Sequence, residues 1–480
     1  MKELLERTDL QATITAVFMI PFSLLVAFLI IKEQYAIAAG VCMLFLLSYV
    51  VRYAGYFLFL WFLLSPVLIS DTFSIITVNA HPIVTFDRVI VTGLLGILLM
   101  QVFFKTKTLL PGNVLETFLF GFLLLLAVSV AFISDDKFGA GRIFLDSFFI
   151  PVAVYLLVKH YINEGNYFQW FTGALLLVAV YLSCMGIYEY VTSTDILPSE
   201  EGIQEFSGYR RVDGPYAASD ALASNLSMCF FIVIYHLHLQ ISKRKSNVPL
   251  VLLLGGILAL TATAIGFTVL RTIWLSTMIA FVIWIMLGEK GYLKLLAAVP
   301  LILILIYTGY DRLSSTDIYR DRIKHEDSIE SRFHAYDHAL SLYKEKPLLG
   351  IGFNNYYVRT KDTGISPWTH NSYLTALTDT GIAGFALVTI ITILIFSIAF
   401  RYYRRSSDSP DTQFSRVFIP VALCFFIPWF SLESIYRPEI NKFFFAILGM
   451  VAGRCIWIER QRSENTSSSF FIEEDHASLE

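Results

Sequence analysis

The sequence predicts an all-α fold, a polytopic integral membrane helix bundle of about 12 to 14 transmembrane helices with one large extracytoplasmic loop. Three observations carry that expectation. Hydrophobic residues make up 56% of the 480 and aromatics 15%, against 16% charged, and the mean hydropathy is +0.63. A water-soluble globule of this size does not hide that much apolar surface. The apolar runs recur with short interruptions almost to the last residues, so one membrane domain is the simplest organisation. Basic residues fall unevenly between alternate loops. A formal net charge of −3 supplies no basic face for nucleic-acid phosphates, which excludes that class of partner.

About fourteen apolar windows are long enough, or nearly so, to cross roughly 30 Å of hydrocarbon as helices. They run approximately over residues 12–31, 35–50, 53–69, 86–104, 116–133, 143–162 and 168–190, then 216–240, 248–270, 272–287, 292–309, 382–400, 417–432 and 443–458. Two short neighbours near Arg52 also suit a re-entrant pair, which would lower the count. The first run is long and lacks a small-residue cleavage site, so it reads as a retained helix.

Starting with the N-terminus inside, the inner segments hold Lys105, Lys107, Lys243, Arg244, Lys245, Arg401, Arg404 and Arg405 among others. The short outer segments hold about half as many basic residues as the inner ones. Both termini are therefore expected in the cytoplasm, residues 1–462 forming the membrane domain and 463–480 a polar, acidic, flexible cytoplasmic tail. Residues 310–370 form the large extracytoplasmic loop, in which Phe333, Ala335, Tyr336, Leu340, Leu342 and Tyr343 predict a partly amphipathic helix ending near Lys346, before Pro347. The five cysteines all lie in predicted spans without metal-ligand spacing and read as packed thiols.

Polar groups at membrane depth are where chemistry is sought, because an unpaired charge there costs several kcal/mol, as an order of magnitude. Three outer segments qualify: "GYRRVDGPYAASDALASN" from Gly208; "GFTVLRTIWLS", where Arg271 interrupts two apolar runs at a hairpin tip; and the end of the long loop, "SRFHAYDHALSLYKEKPLLGIGFNNYY", followed by "WTHNSYLTALTDTGIAGF". His334 and His338 share a helical face, but HAYDH is not HExxH and no third ligand accompanies it, so no metal site is expected. Asp87 and Arg88 read as a local ion pair outside the site.

In order, these segments resemble the O-antigen ligase and polymerase superfamily of bacterial membrane glycosyltransferases. His370 and Asn371, followed by Gly381 and Gly384, fit its motif H-[NSQ]-x9-G-x-x-G. Upstream, Arg332, Tyr336, Ala339, Pro347, Gly350 and Gly352 resemble R-x3-W-x2-A followed by P-L-x-G-x-G, with tyrosine in place of tryptophan. Arg211 with Gly214 resembles the arginine-glycine element before the preceding helix, and Arg271 the arginine at the next hairpin tip. The resemblance covers roughly residues 208–458. Ala217, Ala218 and Ser219 stand where the family often has Pro-Asn.

The resemblance implies an enzyme of the bacterial cytoplasmic membrane with an extracytoplasmic active site. It would pass a glycan from a polyprenyl-diphosphate donor to a glycan or lipid hydroxyl, polymerising or ligating units of a cell-surface polysaccharide, with neither cofactor nor metal. Its residue types suit that chemistry. Guanidinium forks of Arg211 and Arg271, with Arg210 and Arg332 beside them, would bind the donor diphosphate and stabilise charge on the leaving group. An imidazole, His370, would accept the proton of the attacking hydroxyl. Asn371 would orient it or a sugar hydroxyl, and Gly381 and Gly384 would allow close helix packing. Two other readings are transfer of the same glycan to protein hydroxyls and a lipid-linked glycan flippase; charges gathered on one face favour the enzyme.

Overall fold

The structure is a computed structural model that describes residues 52–66, 74–78, 81–163, 166–194, 205–206, 209–216, 218–243, 247–288, 327–405 and 410–477. The predicted spans 12–31, 35–50 and 292–309, and residues 310–326 of the long loop, lie outside them. By contacts the chain divides after Phe57. Of the first unit only residues 52–57 are described, and they begin helix α1 (Ala54–Leu64). All contacts given below lie within the second unit.

The regular structure among the described residues of that unit is helical apart from two short antiparallel hairpins, β1 (Ser74–Val78) with β2 (His81–Thr85) and β3 (Glu205–Phe206) with β4 (Tyr209–Arg210). Among the described residues nine helices are long and apolar enough to cross a membrane. They are α2 (Phe86–Phe103), α3 (Val114–Phe132), α4 (Lys137–Tyr161), α5 (Tyr167–Thr192), α6 (Ser219–Ile241), α7 (Val248–Phe267), α11 (Ser372–Arg405), α12 (Pro410–Phe426, its span running on to Phe430) and α13 (Pro438–Ala477). A shorter apolar helix, α8 (Arg271–Met286), follows α7. Between α8 and α11 lie α9 (Asp327–Glu345) and the short α10 (Asn355–Thr360).

The spans start where local chemistry dictates. Thr85, Asn113, Asp136 and Asn247 each accept a backbone N–H from three residues onward, capping α2, α3, α4 and α7. Such caps satisfy amides that a helix start otherwise leaves orphaned. The outward faces are apolar: Leu124 is 66% exposed and Leu252 70%. Apolar side chains turned outward along whole helices require hydrocarbon, not water, as the surroundings. Cys229 and Cys424 are buried as expected, whereas Cys184 is exposed, since it falls on such an outward face.

Polar clusters tie the bundle internally. The side chain of Lys159, fully buried on α4, reaches Glu116 on α3 and the carbonyl of Pro111 at 3.0 Å. Tyr155 donates to the same Glu116 carboxylate at 2.9 Å. Beside them α13 brings Gly449 and Gly453 so near the carbonyls of Tyr155 and Lys159 that a Cβ would stand 2.7 and 2.6 Å away. Small residues permit that approach. Asp87 and Arg88 are not paired with each other. Asp87 meets Lys442 of α13 and accepts from Trp61 Nε1 at 2.8 Å, while Arg88 makes a two-pronged pair with Asp146. Adjacent residues on a helix point about 100° apart, so each finds its partner on a different neighbour.

α9 stops at Glu345, close to the expected end. Its Ala339 and Leu342 pack on Ile351 and Tyr356, with Leu374 of α11 beside them. Phe333 and Leu340, expected on the same apolar face, are instead 62% and 40% exposed. At the other end of the chain, α13 continues as helix through residues 463–477.

Candidate functional site

One end of the bundle is assembled from the loops that join α5 to α6, α7 to α8, α10 to α11 and α12 to α13. Side chains cross-link them. After Arg211, the amides of Asp213 and Gly214 donate to the Glu189 carboxylate at 3.2 and 2.7 Å, tethering that loop to the last turn of α5. Arg271 is the first residue of α8. Its neighbour Thr272 accepts from Ser431 Oγ at 2.7 Å, and Arg437 donates to Asp220 at 3.0 Å. The loop 431–437 thus touches the starts of both α6 and α8.

The expected arginines converge. Burial lowers the pKa of Arg211; Asp213 and Asp220 act against that, while Arg332 and Arg271 add to it. Three guanidiniums therefore share one field with two carboxylates, a surplus of positive charge suited to an anion. Arg332 lies on α9 and is exposed, as is Arg271, whereas Arg211 is half-buried. Arg210 lies in β4, its side chain outside the described residues.

His370 and Asn371 stand at the start of α11 because that helix needs them there. Asn371 Oδ1 accepts the Leu374 amide at 3.0 Å and its carbonyl the Thr375 amide at 2.9 Å, the geometry of an N-cap. The side-chain oxygen of Asn371 is thus engaged in helix capping, a role the sequence reading did not give it. His370, just before the cap, has φ +53, a left-handed conformation that histidine tolerates better than most residues. Its Nε2 lies 3.3 Å from Ser366 Oγ. Burial lowers its pKa, and Arg332 pushes the same way, so the imidazole is neutral at physiological pH and able to accept a proton.

The glycines expected to ease packing do so in a more specific way. At Gly381 α11 is broken by φ +66, ψ −168. The segment after Pro347 docks into that break: Ile382 N donates to Pro347 O and Ala383 N to Leu348 O, while Ile351 N and Gly352 N donate to Thr378 O and Asp379 O. A Cβ on Gly381 would stand 2.4 Å from Leu348 O, and one on Gly350 the same distance from Asp379 O. Both elements of the motif are therefore one interlocking backbone joint. At Gly384 a Cβ would stand 1.8 Å from Thr380 Oγ1, one turn earlier on α11, and 3.4 Å from Leu125 of α3.

Two acids at this end escaped the sequence reading. Asp379 accepts the amides of Asn354 and Tyr356 at 2.8 and 3.0 Å and the Tyr436 hydroxyl at 2.6 Å, joining α11, the glycine loop and the last loop. Glu433 lies beneath the His370 turn. Thr375 Oγ1 donates to its Oε1, and the amides of Thr369 and His370 point toward the carboxylate. Its Oε2 is enclosed without a hydrogen-bond partner among the described residues. Burial, with Asp379 adding, pushes the Glu433 carboxyl up to about 8 despite those donors. The sequence shows Glu433 as a lone acid in the apolar context "WFSLESIY", but nothing local places it beneath His370.

A pH dependence follows. The folded value, about 8, lies above the ordinary glutamate range, so the native state holds a proton that the unfolded state has released. Stability must fall as pH rises from about 4.3 through 8. A Glu433→Gln variant keeps the neutral shape and does not titrate. The thermal midpoint of the wild-type protein, measured against that of the variant, is expected to drop across this window and level off above it. A difference constant from pH 5 to 9 would show that Glu433 is already ionised.

Residues 250–389 match the family model described as O-antigen ligase; no curated protein matches the chain. The matched stretch holds Arg271, Arg332, His370, Gly381 and Gly384, while Arg211 and Glu433 lie outside it. Over that stretch, less than a third of its length, this multi-pass membrane chain is thus similar to the O-antigen ligase family.

Proposed function

We propose that the chain is a glycosyltransferase of the bacterial cytoplasmic membrane that transfers a glycan from a polyprenyl-diphosphate donor to a hydroxyl acceptor on the outer face. The observation that carries this reading is the meeting of Arg211, Arg271 and Arg332 in one field with the neutral His370 beside it. The arginines would hold the diphosphate. As the bond from the anomeric carbon to the phosphate oxygen breaks, negative charge grows on the leaving diphosphate, and the guanidiniums stabilise it. The acceptor oxygen forms the new bond to the anomeric carbon while His370 takes its proton. No metal or nucleotide is required for these steps. Glu433, Thr375 and the Asn371 cap hold the turn that presents the imidazole.

The test is reconstitution. Purified protein in lipid nanodiscs, supplied with lipid-linked glycan extracted from the source bacterium together with its cell-envelope glycan fraction, is expected to lengthen or conjugate glycan and release polyprenyl diphosphate. Lipid-linked glycan that remains unconsumed while crossing the bilayer of protein-containing vesicles would favour a flippase and overturn the transferase.

A further inference from the structure

Beside His370 lies an open cleft of about 620 Å³ that the steps above leave unused. One wall is a single face of α9: Glu330, His334, Asp337, His338 and Ser341 recur at intervals that place them on adjoining turns. The other wall is the turn 364–366, whose Ser366 has its hydroxyl 3.3 Å from His370 Nε2. The wall of the cleft at Ser366 is therefore within hydrogen-bond reach of the imidazole. We propose that this cleft is the acceptor subsite, and that it takes the uncharged, hydroxyl-rich stretch of a glycan next to the attacking hydroxyl. The inference rests on the transferase reading.

The lining chemistry selects that ligand. Two carboxylates, two imidazoles and three serine hydroxyls accept and donate hydrogen bonds in many directions, which suits a polyol with adjacent hydroxyls. Among the described residues Ile365 is its one large aliphatic side chain, so a lipid chain gains little there. Among the described residues the lining holds neither lysine nor arginine, and Glu330 and Asp337 repel phosphates and uronates. Arg332, on the same helix, contributes to the field of the arginine cluster instead. α9 thereby sorts the two substrates by charge, with the diphosphate drawn to its cationic side and the neutral sugar to its acidic face. His370 stands between the two.

Binding can be measured without turnover. Full-length protein in detergent is titrated with chitotetraose, a neutral oligosaccharide, and with tetragalacturonate, its anionic counterpart, by ligand-observed saturation-transfer NMR. Chitotetraose is expected to saturate, with tetragalacturonate at least tenfold weaker. The double variant Glu330→Gln, Asp337→Asn should reduce that preference several-fold. Ser341→Trp, placed at an exposed position so that it fills the cleft without disturbing the core, should abolish chitotetraose binding. Thermal protection by undecaprenyl diphosphate should be unchanged in both. No saturable chitotetraose binding, equal binding of the uronate, or full binding by Ser341→Trp would each overturn the proposal. If the cleft binds as expected and reconstituted protein transfers nothing, the cleft stands as a glycan site and the transferase reading falls.

Discussion

A His370→Ala variant is expected to lose glycan transfer by about 10² to 10⁴ in rate, the usual worth of a positioned general base, while donor binding survives. The division follows from the site's layout, in which the arginines meet the donor and the imidazole meets the acceptor hydroxyl. Purified variant and wild type are compared for product formation and for thermal protection by undecaprenyl diphosphate. Alanine is strained at φ +53, by about 1 kcal/mol, so His370→Asn serves as a second variant that accepts the left-handed conformation and lacks the base. Loss of transfer with retained protection in both variants supports the role. Transfer near the wild-type rate in either would leave His370 a member of the turn and nothing more.

The arginines are expected to fail differently. Arg211→Lys and Arg271→Lys should each lower transfer by about 10²-fold, since an ammonium keeps the charge but cannot present two parallel donors to a diphosphate. Alanine at either position should cost more. Protection by undecaprenyl diphosphate should weaken along with rate, in contrast to the histidine variants. Lysine variants with full turnover would mean that only net charge matters, and fully active alanine variants would remove the arginines from the mechanism. Arg211 is the more informative position, being half-buried and flanked by Asp213 and Asp220, whose charges it balances.

The helices were legible because hydropathy is a local property: windows such as 116–133 and 168–190 meet helices Val114–Phe132 and Tyr167–Thr192 within two residues at each end. The arginines and His370 were legible as charges and imidazole stranded between apolar runs. The glycine spacing was visible, but not its reason, because the break at Gly381 takes its shape from Leu348 and Gly350, more than thirty residues earlier. Asn371 could have been read as a cap from its place before an apolar run. Asp87 with Lys442, 355 residues apart, and Glu433 beneath His370 could not, since their partners are set by folding and no local pattern announces them. Arg88 shows the same limit, its adjacent acid having suggested a pairing that geometry forbids.

The Lys159, Glu116 and Tyr155 cluster has a mechanical consequence for the opposite end of the bundle. Parting these groups within hydrocarbon would strand a charge at a cost of several kcal/mol, as an order of magnitude, and Gly449 and Gly453 press the backbones of α4 and α13 together alongside. Helices α3, α4 and α13 are therefore riveted at the end away from His370 and act as a fixed post. The described joints of α8 and α9 are softer, a hydroxyl contact from Thr272 to Ser431 and apolar packing of Ala339 and Leu342, so yielding to a bulky glycan falls to them. The helices that carry Arg271 and Arg332 are therefore the ones left free to give way around the donor, while the post holds still.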